Sequence, residues 1–111
     1  MEQRRTRRFK LQLALSITRT GSDRVTFSGH TKNISSSGVL FTAEREPELG
    51  GAIEYVITLN HEGSQSVNLR CMGKILRADR MQNGNDELGW AFQVAATLER
   101  YEFVRVRAAA Q

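Results

Sequence analysis

The sequence predicts a small all-β domain, a six-stranded antiparallel β-barrel with a C-terminal α-helix. Three observations carry this. Apolar residues recur at every second position in short segments, clusters of Gly, Asn, Asp and Ser separate those segments, and the spacing becomes helical only near the end of the chain. At 111 residues, 40% hydrophobic and 25% charged, the chain suits one domain with one modest core. The expected layout is a basic arm over residues 1–10, a barrel over 11–95 and a helix over 96–111.

Leu11, Leu13, Leu15 and Ile17 alternate with Gln12, Ala14, Ser16 and Thr18, which is the period of a half-buried strand. Gly21-Ser22-Asp23 is a turn, and Val25 and Phe27 begin a second strand that runs toward Ile34. Gly38-Val39-Leu40-Phe41-Thr42 forms the third, followed by a polar loop containing Pro47 and ending at Gly50-Gly51. Ile53, Tyr55, Ile57 and Leu59 supply the fourth, and His61-Glu62-Gly63 a hairpin connection. Val67, Leu69 and Cys71 lie on the fifth, where Gly73 signals a bulge or bend that lets the sheet curl.

Asn83-Gly84-Asn85-Asp86 is a strong turn signal, and Leu88, Trp90, Phe92 and Val94 alternate along the last strand, which places Trp90 in the core. From Thr97, a fitting N-cap, Leu98, Tyr101 and Val104 lie three apart, and Ala108 to Ala110 suit a fraying helical end. A barrel of this size fills its interior with side chains, so a ligand is expected on the outside.

The net charge of +4 is unevenly placed. Arg4, Arg5, Arg7, Arg8 and Lys10 face Glu2 alone within the first ten residues, which accounts for the entire excess and leaves the rest of the chain balanced. Clustered guanidinium groups repel one another unless an anion joins them, so the arm points to an anionic partner. Charge alone leaves nucleic acid, anionic lipid, an acidic protein and a nucleotide open. No apolar run approaches the roughly 18 residues that span a bilayer, so no membrane insertion is expected and the chain reads as cytoplasmic. The lone Cys71 sits in an apolar stretch and reads as a buried, inert thiol. Neither His30 nor His61 has a spaced partner for a metal site, and no catalytic pairing of Ser, His, Cys or carboxylates is recognisable, so no enzyme activity, catalytic residue or metal is expected.

Two short segments carry chemistry. In Arg4-Arg5-Thr6-Arg7-Arg8 the outer arginines stand four apart just before the first strand. A guanidinium fork can bond guanine O6 and N7, grip a phosphate, or stack on a purine. By itself the run is a weak signal, since most such runs are solvated basic tails or loose polyanion binders. In Asn33-Ile34-Ser35-Ser36-Ser37-Gly38, Asn can meet a base edge, Ser a phosphate oxygen, and Gly permits positive φ or close backbone approach. By itself that segment reads first as a plain strand-to-strand turn.

Together the two resemble the paired signature of the PilZ family, RxxxR in the arm and [D/N]xSxxG in the barrel. Gly50-Gly51, Gly73-Lys74-Ile75-Leu76-Arg77 and Gly89-Trp90-Ala91-Phe92 extend the resemblance, in order, over nearly the whole chain. The resemblance implies a six-stranded barrel with a C-terminal helix that binds cyclic di-GMP. It implies that Arg4 and Arg8 fold over the ligand while Asn33, Ser35 and Gly38 meet its other side, with Arg5 and Ser37 as secondary candidates. It also implies a non-enzymatic receptor whose arm becomes ordered on binding, a ligand but no cofactor, and a protein partner or fused effector domain. The alternatives are a barrel of the same fold that has lost its ligand and serves protein interaction, and a single-stranded nucleic-acid binder, which the neutral body disfavours.

Overall fold

The computed structural model describes residues 12–62, 65–81 and 91–107. Within them the chain is all-β: β1 (Ala14–Thr20), β2 (Asp23–Ile34), β3 (Gly38–Ala43), β4 (Ala52–Glu62), β5 (Gln65–Arg80), β6 (Phe92–Thr97) and β7 (Arg100–Arg107). Neighbours pair antiparallel in the order β4-β1-β2-β3-β6-β5, and the β4–β5 pairing closes the ring. The expected six-stranded antiparallel barrel is therefore present, and the alternation is its cause. Leu15, Ile17, Ile53, Tyr55 and Ile57, one face of β1 and β4, are all buried and pack with Phe27, Phe41, Val94 and Ala96 in one core.

β5 makes the closure possible by changing partners along its length. One edge pairs with β4 over residues 65–74, while the other pairs with β7 over 65–72 and with β6 over 75–80. The switch falls at Gly73, where a Cβ would overlap the carbonyl oxygen of Thr97, so only glycine permits the approach. Tyr55, fully buried, donates its hydroxyl to that same oxygen at 3.1 Å while its ring packs tilted on Phe41. Burial, with the charges of Cys71 and Glu99 adding to it, raises the Tyr55 phenol well above its usual pKa. Cys71 lies fully buried beside it, and burial pushes its thiol up to about 12, in keeping with an inert core residue.

The C-terminal segment departs from expectation. Residues 100–107, expected within a helix over 96–111, form strand β7, and no helix occurs among the described residues. Tyr101, Phe103, Val104 and Val106 are aromatic and β-branched, residues suited to a pleated surface. Pairing with the free edge of β5 satisfies their backbone groups, and β7 thereby extends the hairpin that β5 and β6 begin. Thr97, which would have capped a helix, caps a bend instead. Its hydroxyl accepts from the Lys74 N–H at 2.8 Å and donates to the Glu99 carboxylate at 2.8 Å, while the Glu99 N–H reaches the Met72 carbonyl. Residues 108–111 and the expected core placement of Trp90 lie outside the described residues.

Candidate ligand-binding site

Asn33 reaches the barrel exterior because β2 contains a bulge. The register slips between Thr31 and Asn33, so Lys32 is an extra residue. Thr31 faces inward opposite Phe41 and is fully buried, with its hydroxyl accepting from the Leu13 N–H at 2.9 Å. Strict alternation would have buried Asn33 as well; the bulge instead sets it half-buried opposite Leu40, an outward position of β3. No described residue hydrogen-bonds its amide.

Ser35 and Gly38 close the turn that follows. The Ser35 N–H donates to the Gly38 carbonyl at 2.8 Å, and the Ser35 hydroxyl accepts from the N–H groups of Gly38 at 3.2 Å and Ser37 at 3.3 Å. The Leu98 N–H donates to the Ser37 carbonyl at 3.0 Å and ties the turn to the bend between β6 and β7. Gly38 has no positive φ. Its requirement is closeness, because a Cβ would stand 2.9 Å from the Ala96 carbonyl oxygen of the adjoining strand.

Asn33, Ser35, Ser37 and Gly38 line one hollow of about 340 Å³ on the barrel exterior, together with Arg77 and Gln93. Gln93 was not singled out in the sequence, and Arg77 entered only as the last residue of the Gly73-Lys74-Ile75-Leu76-Arg77 stretch, not as a site residue. A second bulge accounts for Arg77: the register slips between Ile75 and Arg77, so buried Ile75 is followed by two outward residues, Leu76 and Arg77. The signal was an arginine two positions after an inward isoleucine, which unbroken alternation would have buried. Gln93 lies on the outward face of β6, between buried Val94 and half-buried Phe92.

A separate apolar hollow of about 410 Å³ opens on the other side of the same turn, lined by Ile34, Ser35, Leu69, Leu98, Tyr101 and Phe103 among others. Tyr101 and Phe103 meet edge to face at 6.1 Å between centroids and remain exposed. His30 is buried against the Thr42 hydroxyl, with 3.4 Å to its Nδ1, and does not line the hollow that holds Asn33. Arg4, Arg5 and Arg8, the arm's candidate residues, lie outside the described residues.

With the barrel and its motif turn in view, the comparison with known families is decisive: the model of the PilZ domain matches residues 2–105. The chain belongs to the PilZ domain family. Neither the search of curated proteins nor that of solved structures returned a match. PilZ domains form a cyclic di-GMP-binding family, and the matched span takes in both the arm arginines and the Asn33 to Gly38 turn. No helix of the described residues is long and apolar enough to cross a membrane.

Proposed function

We propose that this PilZ domain is a non-enzymatic receptor for cyclic di-GMP. The ligand sits between the arm, through Arg4 and Arg8, and the barrel, through Asn33, Ser35 and Gly38, with Arg5 and Ser37 in supporting contact. The observation that carries the reading is the hollow at the motif turn, whose polar rim includes the Asn33 amide, which no described residue hydrogen-bonds, beside turn hydroxyls. Cyclic di-GMP offers two purine faces, two Hoogsteen edges and two phosphates. Paired guanidinium forks match all three, and the ligand's two negative charges relieve the repulsion within the arm. Binding then orders the arm against the barrel and creates a surface that a cytoplasmic protein partner or fused effector recognises.

Isothermal titration with cyclic di-GMP tests this. Wild type is expected to bind, with stoichiometry distinguishing one ligand from a stacked pair, and Arg8→Ala is expected to weaken binding at least about tenfold. Absence of heat from folded wild type overturns the reading. The exposed Tyr101 and Phe103 beside the same turn favour a second reading, a protein-interaction barrel without a ligand, which that negative result would support.

A further inference from the structure

Among the described strands, β7 alone is bonded along a single edge. Every other one has neighbours on both sides, since the order β4-β1-β2-β3-β6-β5 closes through β4 and β5, whereas β7 hangs from β5 only. In an antiparallel ladder every second residue turns its N–H and C=O toward one edge. Half of the backbone groups of Arg100–Arg107 therefore face outward with no described strand to meet them. The features that usually blunt such an edge are missing. β7 is eight residues long, contains no proline or lysine, and runs along β5 with no register slip.

One face of this edge is apolar. Tyr101 and Phe103 oppose Cys71 and Leu69, so they continue the core-facing side of β5 outside the closed ring of strands, beside the apolar hollow that Ile34 and Leu98 also line. The two rings are 59% and 66% exposed. Unpaired main-chain groups beside an apolar face are matched by another strand that presents the same two features.

The charge pattern selects β7 of a second copy. Arg105 shares the aromatic face with Tyr101 and Phe103, while Glu102, on the opposite face, already lies 3.2 Å from Arg70. Parallel pairing in register would set Arg105 against Arg105 and Glu102 against Glu102, like charges directly opposed. Antiparallel pairing about a two-fold axis at Phe103 sets Phe103 against its own copy, Tyr101 against Arg105 of the second copy, and Glu102 against its Val104. Two phenyl rings then meet at the centre, each tyrosine ring meets a guanidinium, and no like charges oppose. An axis normal to the sheet also keeps both aromatic faces on one side. Because each molecule offers one such edge, the match uses up both edges and closes at two copies.

We propose that β7 is a homodimerisation edge, at which two copies join antiparallel through residues 100–106, centred on Phe103, into one sheet that runs from barrel to barrel. The association needs no ligand and stands apart from the receptor reading.

Sedimentation velocity of ligand-free wild type over a range of concentrations is expected to show a reversible monomer-dimer equilibrium. Tyr101→Ser/Phe103→Ser, verified as folded by circular dichroism, is expected to weaken it about tenfold or more. Cysteine crosslinking reads the register. Oxidation is expected to link Phe103→Cys into a covalent dimer at least about tenfold faster than Tyr101→Cys, since only position 103 opposes itself at disulfide distance. Cys71, being buried, stays out of the reaction. Hydrogen exchange is expected to protect only the β7 amides facing β5 in the monomer, and the outward ones as well once the dimer forms. A wild type that stays monomeric up to millimolar concentration leaves the edge to a strand of another protein and overturns the proposal. Equal crosslinking rates at positions 101 and 103 overturn it too, as do outward amides already protected in the monomer, which would put another segment of this chain on the edge.

Discussion

At the scale of single residues, the motif turn is held by the same atoms that are offered to a ligand. The Ser35 hydroxyl already accepts two backbone N–H groups, so Ser35→Ala is expected to destabilise the fold by about 1 kcal/mol in urea unfolding as well as weaken binding. Asn33 makes no such bonds, and Asn33→Ala is expected to leave stability within about 0.5 kcal/mol of wild type while binding of cyclic di-GMP falls. This contrast separates a residue that builds the turn from one that serves it. Gly38 and Gly73 belong with the builders. A methyl at Gly73 would overlap the Thr97 carbonyl, and Gly73→Ala is expected to lose more than about 2 kcal/mol, because the crossing of β5 and β6 must open. Cys71 is expected to resist a thiol reagent at pH 8 in the native protein and to react at once in denaturant, since burial holds its pKa near 12.

At the scale of elements, most strands were legible because one face of each is buried and alternation records that directly. Leu15 and Ile17, or Ile53, Tyr55 and Ile57, announce their inward face without any help from tertiary structure. Gly73, expected to mark a bulge or bend, marks instead the place where β5 changes partners, and the bulge of β5 falls between Ile75 and Arg77. What alternation could not show were the two bulges, since Lys32 and Leu76 look like ordinary strand residues and become visible only through pairing with β3 and β6. Each bulge reverses the facing of the next residue, and this is why Arg77, quoted only within the Gly73 to Arg77 stretch, was not marked as a site residue while Asn33 was found through its motif. The C-terminal segment failed for another reason. Leu98, Tyr101 and Val104 stand at helical spacing, but the unpaired edge of β5 over residues 65–72 offers backbone partners that an isolated short helix lacks. Hydrogen exchange is expected to show protection in β7 at alternate amides, those facing β5, a pattern a helix would not produce.

At the scale of the whole molecule, the barrel has two chemically different outer regions. Around Glu54, Thr18 donates a hydrogen bond at 3.0 Å, and Arg70 and Arg19 stand 3.4 and 3.9 Å away. Burial raises the Glu54 carboxyl, but the bonds from Thr18 and Arg70 and the charges of Arg70 and Arg19 outweigh it, and the net effect is a pKa below the ordinary 4.5. A carboxyl lowered on folding stabilises the protein above its unfolded pKa and ceases to do so as pH falls through its folded value. Glu54→Gln is therefore expected to flatten the decline of the urea midpoint below about pH 4.5, with little change in the slope near neutrality. That region is satisfied within itself, whereas in the hollow between Asn33 and Arg77 no described residue hydrogen-bonds the amides of Asn33 and Gln93. The most direct test of a ligand there is a heteronuclear amide spectrum recorded with and without cyclic di-GMP. Shifts concentrated at Asn33, Ser35, Gly38, Arg77 and Gln93, with Glu54 and its neighbours unmoved, are the expected result. Shifts gathered instead at Tyr101 and Phe103, or none at all, would contradict the account.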